Sequence, residues 1–223
     1  MDGQGTFAVG SIPAPRFMWF HELNPYRCAV LRKNFPAATV IEGDIRDLSP
    51  DDVPDGENHF FAGIGGFALA CEWAEWNGDL WTGGFPCTDI SVAGKGAGLD
   101  GRNSGLWFEW LRLIRARRPV RLLIENVPCL RTRGYDRIHD ALEEIGYAVR
   151  PIVVGAETVG APHRRNRVWI VGTMADHNGE RIRDAHELRR IARSSRAVAA
   201  YACGGGALVP NPEPDGCRAG GGE

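Results

Sequence analysis

Short apolar runs alternate with amphipathic stretches along most of this sequence, and this alternation limits the possible folds more than any other feature. Amphipathic periodicity predicts helices over 25–34, 66–76, 104–117 and 135–145. Because strands that alternate with helices pair mostly in parallel, we predict an α/β fold with a doubly wound, mostly parallel sheet. The runs with the length and composition of buried strands are 17–20, 39–41, 59–61, 80–83, 120–124, 148–154 and 168–171.

The alternating pattern covers residues 17–174, which we predict to form one domain behind an N-terminal extension at 1–16. Residues 175–223 begin with an Arg-rich segment that has the composition of one helix. The last twenty positions contain seven glycines, three prolines and almost no large apolar side chain, so burial cannot offset their ordering entropy. We predict a disordered tail there.

Composition also indicates where the protein resides. No stretch approaches the roughly 20 consecutive apolar residues of a membrane span, and no basic-then-apolar signal pattern precedes Arg16. The six cysteines lack the C-x-x-C spacing of metal centres, which predicts free thiols in a reducing compartment. We therefore predict a cytoplasmic protein with no membrane partner and no metal.

Arginine dominates the positive charge, since Lys33 and Lys95 are the only lysines among 26 cations. Residues 102–133 hold eight arginines against Glu109 and Glu125. Arginine favours planar, bidentate contacts with phosphates and bases, so this segment fits a nucleic-acid surface. A solvated helix face explains it equally well.

A glycine-rich segment, H-F-F-A-G-I-G-G-F, runs from a predicted strand at His59 into a predicted helix at Phe67. Glycine lets a ligand approach the backbone closely, and the N–H groups that begin a helix favour a polar or anionic group. A tight, well-packed turn would explain an isolated G-x-G-G as readily.

Two acidic residues follow strands in a way that suits a nucleoside. Glu22 lies just past the first strand, where a carboxylate could accept both hydroxyls of a ribose. Asp44 takes the same position after the next strand and could accept from an exocyclic amine. Each could instead be an exposed loop acid or a helix cap. Together with the glycine segment, they indicate a ligand that contains a nucleoside.

Cys87 directly follows a strand in G-G-F-P-C-T-D, at the carboxyl edge where open α/β sheets bind ligands. The role of a small buried hydrophobe suits Cys28 and Cys71 on helices better, because Pro86 fixes the backbone before Cys87. We predict that Cys87 is available for chemistry and that residues 91–105 form a mobile loop over it.

Glu125 ends a buried strand in L-L-I-E-N-V-P. Apolar surroundings would favour its protonated form, so it could donate a proton near neutral pH, although pairing with a neighbouring arginine is the alternative. Arg165 and Arg167 then begin the last strand, where alternation would put them on one face. Arg164 could be surface charge.

In this order, F-A-G-I-G-G, G-F-P-C, E-N-V and R-R-N-R resemble the motifs of the DNA cytosine-5 methyltransferase family, bacterial or phage type. The resemblance extends through most of residues 17–173, and 89–99 is similar to the family's active-site loop. It implies a Rossmann-like domain that binds S-adenosylmethionine. It also implies methyl transfer to C5 of a cytosine flipped out of DNA, through a covalent bond between cysteine and C6.

The resemblance further implies roles for individual residues. Cys87 matches the nucleophile and Glu125 the residue that bonds cytosine N3, with Asn126 as its structural neighbour. Arg165 and Arg167 match the pair that holds the nucleophile region and the base O2. Glu22 would bind the ribose of the donor and Asp44 its adenine. The full set implied for the donor is Phe61, Gly63, Ile64, Gly65, Gly66, Glu22, Leu23, Asp44, Ile45 and Pro86.

The order of these motifs departs from the family, because Glu22 precedes Gly63 by 41 residues. We predict the same sheet assembled by a permuted connection, with 47–58 as the crossover. Nothing after Thr173 resembles a target recognition domain. We therefore expect a truncated or split enzyme whose recognition lobe resides on a second polypeptide, in a restriction-modification or phage setting.

Three alternatives remain open at this point. The chain could be a defective remnant that binds S-adenosylmethionine or DNA without turnover, or it could methylate RNA by the same chemistry. A nicotinamide dehydrogenase would account for the glycine segment but leaves Cys87, Glu125 and Arg167 unexplained.

Overall fold

A computed structural model of the chain describes residues 19–63, 65–76, 78–90 and 98–174. Several predictions concern residues outside these ranges. They are the N-terminal extension, the start of the first strand, Ile64, residues 91–97 of the loop after Cys87 and the C-terminal segment.

Each predicted strand and helix is present within the described ranges, with ends shifted by a few residues. A short helix at 130–133 is additional. The elements in chain order are β1 (Trp19–Glu22), α1 (Pro25–Asn34), β2 (Thr39–Glu42), β3 (Asn58–Phe60), α2 (Gly66–Trp73), β4 (Leu80–Gly83), α3 (Leu106–Arg117), β5 (Arg121–Asn126), α4 (Leu130–Arg133), α5 (Tyr135–Glu144), β6 (Tyr147–Val154) and β7 (Arg167–Met174).

The larger sheet has the strand order β3-β4-β5-β7-β6. Strands β3, β4 and β5 are parallel, whereas β7 runs antiparallel to both of its neighbours. Strands β1 and β2 form a parallel pair of their own. Parallel pairings therefore outnumber antiparallel ones, and the predicted α/β class with a mostly parallel sheet is confirmed.

The permuted segment differs from the single sheet that we predicted. Within the described ranges, no hydrogen-bonded ladder joins β1 or β2 to the larger sheet. Strand β3 is only three residues long, which leaves little extended backbone for a second ladder. We call residues 19–42 the N-terminal β-α-β unit.

Side chains hold this unit against the larger sheet. The guanidinium of Arg112, on α3, donates to the backbone carbonyls of Ile45 and Leu48 at 3.1 and 2.9 Å. Leu48 is buried in the main core, and Trp19 packs against that core. The connection after β2 is thus anchored by burial and by one arginine.

Helix α3 supplies the centre of the core. Its buried face includes Trp107 and Trp110, which are completely enclosed. Trp110 packs on Phe60 of β3 with 5.4 Å between ring centroids. Large aromatic groups bury much apolar area, so this contact fixes the position of β3 and of the segment that follows it.

No helix in the described ranges is both long enough and apolar enough to span a membrane. Cys28, Cys71 and Cys87 have free thiols, as predicted. The prediction is wrong for Cys129, which is disulfide-bonded.

Candidate active site

Cys87 lies on a turn four residues beyond the end of β4. Its side chain is partly exposed, and its carbonyl accepts from the N–H of Ile90 at 3.0 Å. Cys28 and Cys71 are buried, and burial raises the pKa of both thiols, to about 12 for Cys71. Of these three thiols, Cys87 is therefore the one that a ligand can reach.

The start of α3 braces the turn that carries Cys87. The hydroxyl of Ser104, which is completely buried, donates to the carbonyl of Pro86 at 2.9 Å. The Asp89 carboxylate accepts from the N–H groups of Asn103 and Ser104 at 2.9 and 3.0 Å. Asp89 and Ser104 are not among the predicted site residues, and the only sequence signal for them is their place within and beside the family-like loop.

Asn126 joins the end of β5 to the same turn. Its side-chain amide donates to the carbonyl of Phe85 at 3.1 Å, and its amide oxygen accepts from Val127 N–H at 2.9 Å. The residue is 2% exposed. Both backbone groups are therefore satisfied by one buried side chain.

Replacement of Asn126 by alanine is expected to destabilise the fold by about 1–3 kcal/mol, because the buried Phe85 carbonyl loses its donor. Chemical denaturation measures the loss. Asn34→Ala is the matched control, since Asn34 makes a similar bond to the Val30 carbonyl in an exposed setting. Equal losses for the two variants would contradict the role given to Asn126.

Glu125 and Arg167 meet beside the Cys87 turn. Arg167 Nε lies 2.6 Å from Glu125 Oε1, and the two side chains are about one quarter exposed. A Cβ placed on Gly84 would lie 2.9 Å from Glu125 Oε2, so the carboxylate touches the backbone that leads to Cys87. The sequence allowed either an apolar setting for Glu125 or pairing with an arginine. The structure shows the pairing.

Arg165 does not lie on the same strand as Arg167, its predicted partner beside Glu125. Strand β7 begins at Arg167, so the alternation that we expected to align Arg165 with it does not extend that far. Arg165 is exposed, and its carbonyl accepts from Ala156 N–H at 3.2 Å.

The segment after β3 forms a tight turn into α2. Phe61, Gly63 and Gly65 have positive φ angles of 51°, 59° and 86°, a region that favours glycine. A Cβ placed on Gly63 or Gly66 would meet no atom of the described residues within 4 Å. Among those residues, no side chain caps α2. The turn therefore leaves open space beside the backbone at the start of a helix.

This glycine turn is adjacent to the Cys87 turn. Strands β3 and β4 are parallel neighbours, and Gly84 N–H donates to the Phe60 carbonyl at 3.3 Å. Both turns leave the carboxyl ends of their strands. A ligand at the glycine turn would thus lie next to the groups around Cys87.

Glu22 ends β1 and is 1% exposed. Its Oε1 atom accepts from Asn24 N–H at 2.8 Å and lies 3.8 Å from Arg27 Nη1. Its Oε2 atom has no hydrogen-bond partner among the described residues. Burial raises the pKa of Glu22. Buried acceptors in folded proteins rarely lack a donor, so this oxygen retains the capacity to accept a hydrogen bond.

Asp44 lies two residues past β2, at the same end of the strand pair as Glu22. Its carboxylate is already engaged, because it accepts from the N–H of Arg46 at 3.0 Å and from its guanidinium at 2.7 Å. Of the neighbours that we predicted to assist, Leu23 is exposed and Ile45 packs against the core. Each carboxylate oxygen of Asp44 accepts one hydrogen bond in these contacts with Arg46 and retains a lone pair for a ligand amine.

The sequence was compared with protein families and individual proteins. The sequence profile of the C-5 cytosine-specific DNA methylase family matches residues 1–198. The chain is 31% identical over 165 residues to Type II methyltransferase M.NgoFVII of Neisseria gonorrhoeae, which covers 71% of this chain and 38% of that protein. It is 34% identical over 163 residues to Type II methyltransferase M.Bsp6I of Bacillus sp. (strain RFL6), and that match covers 70% of this chain and 44% of that protein.

The chain thus spans less than half the length of these two relatives. Among solved structures, the Entamoeba histolytica methyltransferase EhMeth aligns with a TM-score of 0.49 at 16% identity, over 74% of this chain and 46% of that one. Since the family profile covers most of the sequence, the chain belongs to the C-5 cytosine-specific DNA methylase family.

Proposed function

We propose that this chain is the catalytic part of a DNA cytosine-5 methyltransferase, which transfers a methyl group from S-adenosylmethionine to C5 of a cytosine flipped out of DNA. The observation that supports this most is the meeting of three features at one sheet edge. These are the braced Cys87 turn, the Glu125–Arg167 pair and the glycine turn.

The chemistry accounts for these residue types. Cytosine C5 is a weak nucleophile, so the Cys87 sulfur adds to C6 while Glu125 engages N3. Arg167 holds Glu125 in place through their 2.6 Å contact. When bound, S-adenosylmethionine supplies an electrophilic methyl group. Loss of the C5 proton then lets the C6–S bond break, which restores the aromatic ring and releases Cys87.

The residues present fit the donor. The unpartnered Glu22 Oε2 can accept a ribose hydroxyl, and the space beside Gly63 and Gly66 can admit the methionine part. We propose that Phe61, Leu23, Ile45 and Pro86 line this site and that Asp44 accepts from the adenine amine. Ile64, which the sequence also predicted for the site, lies outside the described ranges.

Replacement of Glu22 by glutamine is expected to weaken S-adenosylhomocysteine binding about tenfold or more, because charge-assisted hydrogen bonds to the ribose are lost. Calorimetry measures this. Unchanged affinity would exclude Glu22 from the site.

The same variant should change the pH dependence of stability. Because burial raises the pKa of Glu22, protonation occurs first in the folded state as the pH falls. The wild type should therefore gain stability relative to Glu22→Gln as the pH falls through the raised folded-state pKa of Glu22, and the gain should be complete below the ordinary glutamate pKa of about 4.3. Denaturation curves at several pH values test the sign, and a constant difference would contradict it.

The arginine-rich segment contributes less to DNA binding than its sequence suggests. Arg112 binds carbonyls of the connection after β2, Arg117 pairs with Asp55, and Arg118 donates to the Ile145 carbonyl. These three side chains serve the fold. We also propose that a second polypeptide supplies the target recognition lobe.

Single-stranded DNA that contains 5-fluorocytosine tests the function without that lobe, because an unpaired base does not have to be extruded from a duplex. Fluorine at C5 cannot leave as a proton, so the enzyme and the base stay joined after methyl transfer. With S-adenosylmethionine present, mass spectrometry should find the nucleotide on Cys87.

The alternatives give different results in this assay. A remnant would bind S-adenosylhomocysteine but form no adduct even with a recognition polypeptide added. A preference for fluorocytosine in RNA would favour the RNA methyltransferase. An adduct on another residue would refute the mechanism.

A further inference from the structure

Three side chains with metal-binding atoms come together outside the proposed active site. Glu57 precedes β3, His59 lies on β3, and Cys71 lies on α2. One ligand atom from each residue lies within 4.8 Å of the other two. His59 is largely buried and Cys71 is buried, while Glu57 is at the surface.

The surroundings of His59 fix which nitrogen faces the cluster. Its Nδ1 atom lies 2.8 Å from the hydroxyl of Thr82, a completely buried residue of β4. Its Nε2 atom points the other way, to Glu57 Oε1 at 2.8 Å. Histidine ligands of metals are commonly oriented in this way, by a hydrogen bond on the nitrogen that does not bind the metal. The Phe67 ring stacks on the imidazole and restricts it further.

Thiolate, imidazole and carboxylate together suit Zn²⁺ among the common divalent ions. In a tetrahedral zinc centre, bonds of about 2.0–2.3 Å place ligand atoms roughly 3.3–3.7 Å apart. His59 Nε2 and Glu57 Oε1, at 2.8 Å, would move apart by about 0.5 Å, and since no two of the ligand atoms are more than 4.8 Å apart, no pair has to close by more than about 1.5 Å.

We propose that Glu57, His59 and Cys71 form a Zn²⁺ site whose fourth position is open to water. The site joins the strand before the glycine turn to the helix after it. Bound zinc would therefore clamp both flanks of that turn, and it should raise the thermal stability of the chain. This inference does not depend on the proposed methyl transfer.

Titration of the untagged, metal-free full chain with Co²⁺ tests the site, because cobalt replaces zinc in such centres and is visible by absorption. A thiolate ligand produces a charge-transfer band in the near ultraviolet, and four-coordinate cobalt gives intense visible bands. We expect one Co²⁺ per chain, displaced by Zn²⁺, and a melting temperature several degrees higher with Zn²⁺.

Variants identify the ligands. Cys71→Ser should remove the charge-transfer band, and Glu57→Gln, at an exposed position that is safe for folding, should weaken Co²⁺ binding at least about tenfold. Cys87→Ser should keep the band. His139→Ala should keep full affinity, although His139 also lies 3.3 Å from carboxylates of Asp140 and Glu143.

Two results would overturn the proposal. One is the absence of a thiolate band in the wild type. The other is a band that survives Cys71→Ser or is lost in Cys87→Ser. Normal Co²⁺ affinity in a folded Glu57→Gln variant would remove Glu57 from the ligand set, and with it the three-ligand site proposed here.

Discussion

Replacement of Cys87 by serine is expected to lower methyl transfer by about three orders of magnitude or more. A serine hydroxyl has nearly the same shape but does not ionise near neutral pH, so addition to C6 fails. The contacts that brace the turn involve Pro86 and Phe85 carbonyls rather than the thiol, and the fold should persist. Transfer of a tritiated methyl group to DNA measures the effect.

Donor binding separates a chemical role from a structural one. S-adenosylhomocysteine should bind Cys87→Ser with wild-type affinity. Cys28→Ser provides a matched control, because a hydroxyl there can still donate to the Glu22 carbonyl as the thiol does. Transfer that survives in Cys87→Ser, or that is lost equally in both variants, would contradict the assignment of the nucleophile.

Replacement of Gly83 by alanine should be the most damaging small change to the fold. The added Cβ would lie 2.5 Å from Trp110 Cη2 and 2.9 Å from the Phe60 carbonyl. Trp110 is completely buried and the carbonyl belongs to β3, so neither can move freely. We expect a loss of about 3 kcal/mol or more, with a melting temperature lower by about 6–12 °C.

Gly66→Ala is the control for this substitution. A Cβ at Gly66 would meet no atom within 4 Å in the part of the chain that the structure describes, and the residue begins α2, where alanine is favoured by up to about 1 kcal/mol over glycine. Its stability should equal or exceed that of the wild type. If the Gly83→Ala protein were as stable as the Gly66→Ala protein, the Trp110 ring would be able to move aside at little cost, which would contradict this prediction.

The local patterns of the sequence predicted the elements well, because apolar runs and amphipathic stretches mark buried strands and helices directly. They did not predict the direction of β7, since strand polarity depends on the path of the chain between strands. They also placed Arg165 in that strand, whereas β7 begins two residues later. Strand ends depend on pairing with a partner, which a single sequence does not display.

Contacts between distant residues were the least predictable part of the site. The sequence identified Glu125 and Arg167 as candidates, and a carboxylate and a guanidinium on paired strands readily meet. Nothing local linked Ser104 to Pro86, or His59 to Cys71 and Thr82. Such contacts arise only when the sheet brings separate segments side by side.

The separate pairing of β1 with β2 also affects how the chain can move. Backbone hydrogen bonds within one sheet fix adjacent strands at about 4.8 Å, whereas side-chain packing allows small rigid-body shifts. The N-terminal β-α-β unit is held to the larger sheet by packing, and Arg112 holds the connection that follows it, so small changes in the orientation of the unit are allowed. The position of Glu22 relative to the larger sheet can therefore change without rupture of a ladder between the described strands, and a ligand that contacts both parts would fix that position.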